Sequence, residues 1–389
     1  MFYKNLKEYE GMNSGLSRIK KFLKSVNNPQ TNIKIIHITG TNGKESTVAF
    51  ISEILITNGY KTTLYTSPHI VNITERIKIN NKNISLKDFT NLSKKYFNKI
   101  TKYKLSYFEY LTALVFIYFT KHKVDITIIE TELVVGRFDT TNVIKNLLIC
   151  VITSITIEHQ EILGNSITKI ASEKFGIIKR GTCIVCGYIS KKAISIIKNK
   201  SNFYIYGKDF KAINNKLGNN QKFDYINKNM KLCTSLFGKH QLMNASVAIF
   251  VANILSKMGY YLYKTNIKKG LKNTIWHGRF DIRKVINNSK NFKLILYGAH
   301  IHGLNAFFEM FNQLGFSKTK QVFIFAVMKE KKYKYIIKKI VPYTKKIILP
   351  KINNERAVNP EILKFEILYY TTVKSKIYIV NSIKMLQIY

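Results

Sequence analysis

The stretch "IHITGTNGKESTVAF", Ile36 to Phe50, decides the fold. An apolar run predicts a strand over 33–38, the run breaks at Gly40, and a helical pattern follows over 45–58. The two glycines let the backbone turn with its N–H groups pointing inward, while Lys44 can reach the outer phosphates of a nucleotide and the helix dipole adds positive potential. Because strand and helix are both present, the pattern favours a phosphate-binding loop over an ordinary strand–helix turn. The residues predicted to bind the nucleotide here are Gly40, Thr41, Asn42, Gly43, Lys44 and Ser46.

Apolar runs alternate with helical patterns along most of the chain. This alternation is typical of α/β proteins whose sheet is largely parallel and covered on both faces. The predicted strands are 33–38, 61–65, 124–130, 150–155, 293–296, 321–326, 346–349 and 377–380. A polar stretch over 201–231 predicts hairpins and loops. We expect a large P-loop-containing domain over residues 1–272, built on a mostly parallel sheet, and a smaller Rossmann-like α/β domain over 273–389.

The charge of the chain is strongly positive, but it does not indicate a nucleic-acid partner. The 389 residues carry a formal net charge of +41, and only seven of the basic residues are arginines. Lysine, asparagine and isoleucine are abundant everywhere, which indicates a compositional bias that spreads lysines over solvated faces. A nucleic-acid-binding protein would more often place Arg and Lys on one element with aromatic partners. We therefore expect no nucleic-acid partner and a monomer.

Cysteine usage and hydropathy indicate a reduced, cytoplasmic protein without membrane contact. Cys183 and Cys186 form a C-x-x-C pair that can suggest a metal or redox site. No second pair or nearby histidine completes a zinc site, so buried structural thiols are the preferred interpretation. No signal peptide is visible at the N-terminus, and the most apolar run, Leu111 to Phe119, is too short to span a bilayer.

Successive blocks of the sequence resemble one known family. The blocks are "HITGTNGKESTVAF", "LYTSPHIVNITERIKIN", "LSYFEYLTAL", "ITSITIEHQEILG", "SEKFGIIKRG", "GKHQLMNA", "WHGRFDI" and "YGAHIHG". In this order they are similar to the folylpolyglutamate synthase/dihydrofolate synthase family of the Mur ligase superfamily, from about Gly15 to the end and less closely after Gly270. The resemblance implies Mur-ligase-type domains in which ATP activates a carboxylate as an acyl phosphate, which the amine of L-glutamate then attacks.

The same resemblance implies substrates, cofactors and site residues. The substrates would be dihydropteroate, folates or both, together with L-glutamate, and the cofactors ATP and Mg2+, with a second Mg2+ and a monovalent cation left open. The implied metal ligands are Ser67, Glu130 and His159. The implied catalytic residues are Lys44, Lys174, which this family carboxylates, and His300. The implied nucleotide contacts in addition to the loop are Asn244, Arg279 and Tyr297, the last in place of an aspartate. The implied substrate contacts are Ser106, Tyr107, Phe108, Arg137 and Asp139, where Phe108 fits a pterin-stacking role and a core role equally. We expect Arg279 and His300 to face Lys44 across a cleft between the domains.

Several positions depart from the family pattern, and Glu45 is the most consequential. The family has glycine there, and Tyr297 and Ile301 also replace family residues. A carboxylate about 5 Å from a phosphate charge costs roughly 3 kcal/mol at an effective dielectric of 20. Glu45 would either weaken ATP binding or serve as a ligand of Mg2+, and both alternatives stay open. A nucleotide-binding homologue with little or no activity, and a Mur-type ligase for another carboxylate, are the alternative functions, although the "TSPH" and "SYFEY" blocks favour folate.

Overall fold

The computed structural model describes residues 15–131, 136–157, 164–197, 202–218, 220–226, 229–287, 290–298, 301–318, 321–370 and 376–381. The chain divides into two compact units, Met1–Trp276 and His277–Tyr389. The domain boundary expected from the sequence lies four residues earlier, at Lys272. Among the described residues, no helix is both long and apolar enough to cross a membrane.

The first unit is built on an eight-stranded sheet. Its strands are β1 (Ile35–Thr39), β2 (Thr62–Tyr65), β3 (Ile77–Ile79), β4 (Lys82–Asn83), β5 (Ile126–Glu130), β6 (Ile149–Ser154), β7 (Cys183–Tyr188) and β8 (Phe203–Ile205). Their order across the sheet is β4-β3-β2-β5-β1-β6-β7-β8. The pairs from β2 to β8 are parallel, and β3 and β4 extend one edge with antiparallel pairing. The α/β class and the mostly parallel sheet predicted from the sequence are confirmed.

Helices cover both faces of this sheet. They are α1 (Ser17–Ser25), α2 (Lys44–Thr57), α3 (Leu86–Lys102), α4 (Tyr107–Lys121), α5 (Ile167–Lys174), α6 (Lys191–Ile197), α7 (Lys239–Lys257) and α8 (Lys264–Asn273). Side chains alternate along β1, so Ile36 and Ile38 pack in a core with α2 and α7, while Ile35 packs in a second core with α1 and α4. The predicted helix over 45–58 is α2, and it begins one residue earlier, at Lys44.

The polar stretch predicted as hairpins and loops contains a small antiparallel sheet. Its strands are β9 (Ala212–Lys216), β10 (Gln221–Tyr225) and β11 (Met230–Thr234), in the order β11-β10-β9. Alternate residues of β10 and β11, among them Phe223 and Leu232, are buried in the core shared with α2 and α7. The stretch as a whole is polar because asparagine and lysine occupy the solvent face, so its composition does not show the alternation of buried residues.

The second unit combines a hairpin with a three-stranded parallel sheet. The hairpin joins β12 (Arg279–Asn287) to β13 (Lys290–Tyr297), and the sheet has the order β14 (Gln321–Ile324), β15 (Thr344–Pro350), β16 (Lys376–Val380). Its helices are α9 (Ile301–Gln313), α10 (Tyr333–Ile340) and α11 (Pro360–Tyr370). The sequence predicted four of these strands and missed β12, whose charged residues interrupt the apolar pattern.

Candidate active site

The turn after β1 has the backbone of a phosphate loop. Gly40 and Gly43 have φ angles of 149° and 84°, which side-chain-bearing residues rarely adopt. A Cβ on Gly40 would lie 2.1 Å from Thr153 Oγ1, and one on Gly43 would lie 2.4 Å from Asn244 Oδ1. Both glycines are therefore required by backbone conformation and by close packing. Glu45 is helical and has no positive φ, so its replacement of glycine is sterically permitted.

The end of β6 holds this loop in place. The backbone N–H of Thr41 donates to the Ser154 carbonyl at 2.8 Å, and the N–H of Asn42 donates to Ser154 Oγ at 3.0 Å. Thr153 Oγ1 donates to the Asn42 carbonyl at 2.6 Å. The loop thus lies at the carboxyl ends of β1 and β6, the edge where open α/β sheets bind ligands.

Two lysine ammonium groups converge on one carbonyl of the loop. Lys44 Nζ donates to the Gly40 oxygen at 3.0 Å, and Lys174 Nζ donates to the same oxygen at 3.2 Å. Lys44 also lies 3.9 Å from the buried carboxylate of Glu130, at the end of β5. Lys174 is only 4% exposed, so its charge is largely desolvated. A pair of ammonium groups beside the N-terminus of α2 is suited to a polyanion.

Gly136 packs against the end of α5. A Cβ on Gly136 would lie 2.5 Å from the Glu173 carbonyl and 2.7 Å from Lys174 Cα. A Cβ on Gly176 would likewise lie 2.7 Å from Arg137 Cα. Gly136 therefore lies directly against the end of α5, where Lys174 is located.

Two of the three implied metal ligands are described, and their setting fits a hard cation. Ser67 follows β2, Glu130 ends β5, and these strands are adjacent and parallel, so both residues lie at one edge of the sheet. Ser67 is 6% exposed, and its Oγ has no hydrogen-bond partner among the described residues. A buried hydroxyl and a buried carboxylate are the oxygen ligands that Mg2+ prefers. His159 lies outside the described residues, within which no group of three His, Cys, Asp or Glu can hold a metal.

Asn244 lies in the first turns of α7, against the loop. Its Nδ2 donates to Gln241 Oε1 at 3.0 Å, which leaves Oδ1 buried with no hydrogen-bond partner among the described residues. The close approach to Gly43 places this amide beside the phosphate loop. Its position is compatible with the nucleotide contact predicted for it.

The implied substrate contacts at the start of α4 differ in burial and in the contacts they make. Ser106 caps α4 in a capping box with Glu109. Tyr107 is buried, and the guanidinium of the buried Arg76 lies 5.8 Å from its ring centroid. Phe108 is half-buried and packs edge-on against Tyr107, so part of its ring is exposed. The structure thus places Phe108 between the two roles left open for it.

The other two implied substrate contacts lie in the segment that leads to β6. Asp139 is buried and caps a short 3-10 turn. Its carboxylate accepts hydrogen bonds from the backbone N–H and the hydroxyl of Thr141. Thr141 Oγ1 in turn lies 2.8 Å from Nε2 of the buried His37 in β1. Arg137 lies 3.9 Å from Glu173 and is exposed enough to reach a ligand. Asp139 therefore has a structural partner that sequence reasoning did not anticipate.

In the second unit, the described candidates make hydrogen bonds within their own unit. Arg279 Nη1 donates to the Gly298 carbonyl at 2.8 Å. Tyr297 OH donates to the Gly303 carbonyl at 2.6 Å, its ring packs against Phe280 and Phe307, and burial raises its pKa to about 12. His300 lies outside the described residues. The predicted cleft, with Arg279 and His300 facing Lys44, stays a prediction.

Glu45 makes a contact that neither sequence alternative anticipated. Its Oε2 accepts a hydrogen bond at 3.0 Å from Nε1 of Trp276, the last residue of the first unit. Lys78 Nζ lies 4.7 Å from the centroid of the same indole ring. The contact could not be predicted from spacing, because Trp276 and Glu45 are 231 positions apart. The position of the only tryptophan, four residues after the predicted domain boundary, was the one feature of the sequence that pointed to it.

The C-x-x-C pair makes no disulfide. Cys150, Cys183, Cys186 and Cys233 are all free thiols. Burial raises the pKa of Cys150 to about 12 and that of Cys186 well above its ordinary value. Thiols that stay protonated are poor metal ligands and poor nucleophiles, so Cys150 and Cys186 fit the structural role preferred from the sequence.

Comparisons with known proteins identify the family. The Mur ligase middle domain family matches residues 38–252. The dihydrofolate synthase/folylpolyglutamate synthase of Bacillus subtilis (strain 168) is 34% identical over 352 residues, which cover 85% of this chain and 79% of that protein. The crystal structure of the folylpolyglutamate synthase of Thermotoga maritima superimposes with a TM-score of 0.85 at 29% identity, covering 100% of this chain and 89% of its own.

A solved FPGS–AMPPCP–folate complex superimposes with a TM-score of 0.80 at 28% identity, covering 98% of this chain and 95% of its own. The block order noted in the sequence, the phosphate loop and these matches agree with one another. The chain therefore belongs to the folylpolyglutamate synthase/dihydrofolate synthase family of Mur ligases, which are ATP-dependent ligases of folate metabolism.

Proposed function

We propose that this chain joins L-glutamate to dihydropteroate, to folates or to both, with the phosphate-loop site of the first unit binding ATP. The observation that carries this assignment is the convergence of the Lys44 and Lys174 ammonium groups on the Gly40 carbonyl. The Bacillus subtilis relative is named for both synthase activities, and the FPGS complex contains AMPPCP and folate. Both names support the substrate class proposed here.

The reaction divides into two displacements. An oxygen of the substrate carboxylate attacks the γ-phosphorus of ATP, so ADP leaves and an acyl phosphate forms. The amine of L-glutamate then attacks the acyl carbon, inorganic phosphate leaves, and the amine loses its proton as the amide forms. Two anions must meet in the first step, so fixed positive charge is what the site must supply.

The described residues provide that charge and the orientation. Lys44 would contact the outer phosphates. The N–H groups of Thr41 and Asn42 hold the loop against β6, so the backbone amides at the start of α2, at Gly43 and Lys44, would bind the phosphate oxygens. Lys174 would act beside the same Gly40 carbonyl, as an ammonium or, once carboxylated, as an anionic ligand. Phe108 would stack on the pterin ring through its exposed part, with Arg137 reaching the carboxylate end. Arg279 and His300 remain proposed nucleotide and catalytic residues. Tyr297 remains a proposed nucleotide contact through its ring, since its hydroxyl is bonded to the Gly303 carbonyl.

Mg2+ is proposed as the cofactor, held by Ser67, Glu130 and His159. The buried hydroxyl of Ser67, which has no hydrogen-bond partner among the described residues, supports the fit. When bound there, the ion would draw negative charge from the phosphate oxygens. A monomer in the cytoplasm without a nucleic-acid partner is likewise proposed.

The test is ADP release by the purified protein. We expect release to require Mg2+, L-glutamate and either dihydropteroate or a tetrahydrofolate, and to produce the glutamylated product in equal amount. Omission of glutamate separates ligation from simple ATP hydrolysis. ATP binding without glutamate-dependent turnover would replace this proposal with the non-catalytic nucleotide-binding alternative.

A further inference from the structure

The only tryptophan of the chain contacts α2, the helix that follows the phosphate loop. Trp276 ends the first unit, and its indole N–H donates to Glu45 Oε2 at 3.0 Å across 231 positions of sequence. Glu45 lies in the first turn of α2, directly after Lys44. Both partners are half-buried, so solvent screens the hydrogen bond only in part.

A third element fixes the plane of the indole. Lys78 extends from β3, and its ammonium lies 4.7 Å from the ring centroid, a cation–π contact. Burial lowers the pKa of Lys78, and the charge of Glu75 opposes that shift. Lys78 thus contacts the face of the ring while the N–H on its edge donates to Glu45, and the two contacts together favour one orientation of the indole.

The position of Glu45 explains why such a contact is needed. Consecutive helical residues project about 100° apart, so Lys44 reaches the Gly40 carbonyl while Glu45 projects to another side. The first turn of a helix attracts anions, and an untethered carboxylate there would occupy the field that the nucleotide phosphates require. An indole donor both orients the carboxylate and offsets part of its charge.

We propose that Trp276 is a positioning residue that holds the Glu45 carboxylate away from the phosphates of the bound nucleotide, with Lys78 orienting the indole. This inference rests on the proposed function, since it presumes a nucleotide at the loop. The hydrogen bond from Trp276 would allow nucleotide binding with a glutamate at position 45, without requiring that Glu45 bind a metal. Trp276, Glu45 and Lys78 then form one unit that acts on nucleotide affinity.

A double-mutant cycle tests the inference. Binding of Mg-AMPPCP is measured by titration calorimetry for the wild type, Trp276→Phe, Glu45→Gly and the double variant. Phenylalanine keeps an aromatic ring over Lys78 and removes only the N–H donor. We expect Trp276→Phe to weaken binding at least fivefold, Glu45→Gly to change it less than threefold, and the Trp276→Phe effect to fall below twofold when Glu45 is glycine.

Each other outcome overturns the inference. Equal weakening by Trp276→Phe in both backgrounds would mean that the tryptophan contacts the nucleotide or supports the fold independently of Glu45. No weakening in either background would mean that the Glu45 carboxylate needs no tether. A large loss in Glu45→Gly that depends on Mg2+ would instead make Glu45 a metal ligand.

A second measurement does not depend on the stability of Trp276→Phe. Trp276 is the sole source of tryptophan emission, so its spectrum in nucleotide-free protein reports on the contact. Glu45→Gln keeps an oxygen acceptor and should leave the emission maximum nearly unchanged, whereas Glu45→Ala should shift it. Identical spectra for the two variants would exclude the hydrogen bond. If Lys44→Ala also leaves Mg-AMPPCP affinity unchanged, the nucleotide site itself fails; if only the cycle fails, the nucleotide site stands.

Discussion

The phosphate-loop region and the β12–β13 region use their polar groups in opposite ways. At the loop, Lys44 and Lys174 meet at one carbonyl, and Ser67 Oγ has no hydrogen-bond partner within the described part of the chain. On β13, the Tyr297 hydroxyl is bonded to Gly303 within an aromatic cluster. Polar capacity left open in a buried setting indicates a ligand, whereas satisfied capacity indicates structure. Substitutions at the loop are therefore expected to change nucleotide binding more than substitutions of Tyr297.

The first region contains a buried imidazole, His37, and we expect it to make the stability of this region sensitive to acid. His37 lies within β1, and burial, with a smaller effect of the Lys179 charge, lowers its pKa from 6.5 to about 3. The unfolded chain therefore binds a proton between pH 6.5 and 3 that the folded chain does not. Above pH 6.5 the imidazole is neutral in both states and does not reduce the free energy of unfolding. As the pH falls from 6.5 toward 3, protonation of the unfolded chain lowers this free energy, by about 3 kcal/mol at pH 4.

We expect this loss to appear in denaturant unfolding followed by Trp276 emission, which reports on the first unit, at pH 7 and pH 4. His37→Gln, which does not titrate, should remove most of the difference between the two pH values even if it lowers stability at both. An unchanged difference in His37→Gln would assign the acid sensitivity to other groups.

The loop lysine should carry the largest effect on nucleotide binding. Lys44→Ala removes a charge-assisted phosphate contact, which is worth roughly 1.5–3 kcal/mol, so ATP affinity should fall at least about tenfold. Titration calorimetry at fixed Mg2+ measures the change. Lys82→Ala, at an exposed position of β4, is the matched control and should bind ATP as the wild type does. Equal affinities for the two variants would remove the nucleotide from the loop.

The sequence predicted the first region well because its signals are local. A strand, two glycines, a lysine and a helix follow one another within 15 residues, and the turn between strand and helix needs φ angles that favour glycine. The Trp276–Glu45 contact and the capping role of Asp139 could not be predicted in the same way. They depend on side-chain packing across distant segments, which no period or spacing records. In the second unit, β12 was missed because Arg283 and Lys284 break its apolar pattern.

A substitution at Gly136 tests whether its close packing against α5 positions Lys174. Gly136→Ala would bring a Cβ to 2.5 Å from the Glu173 carbonyl, so the backbone at the end of α5 must shift. We expect a loss of about 1–3 kcal/mol in unfolding free energy together with weaker ATP binding. Gly218→Ala, where the nearest atom lies 3.8 Å away, is the control and should change neither. A stable Gly136→Ala variant with normal binding would separate this glycine from the site.

Tyr297 gives the smallest expected effect and the most direct test of the comparison between the two regions. Tyr297→Phe removes the hydrogen bond to the Gly303 carbonyl, which should cost about 1 kcal/mol in unfolding free energy. ATP affinity should stay within twofold of the wild type, because the hydroxyl is already committed within its own unit. Tyr343→Phe is the matched control: its ring packs on Phe308 and Phe311, and its hydroxyl bonds to no described residue. If Tyr297→Phe instead weakens ATP binding while Tyr343→Phe does not, the tyrosine hydroxyl makes the nucleotide contact that the family resemblance implies at this position, and the β12–β13 region belongs to the nucleotide site after all.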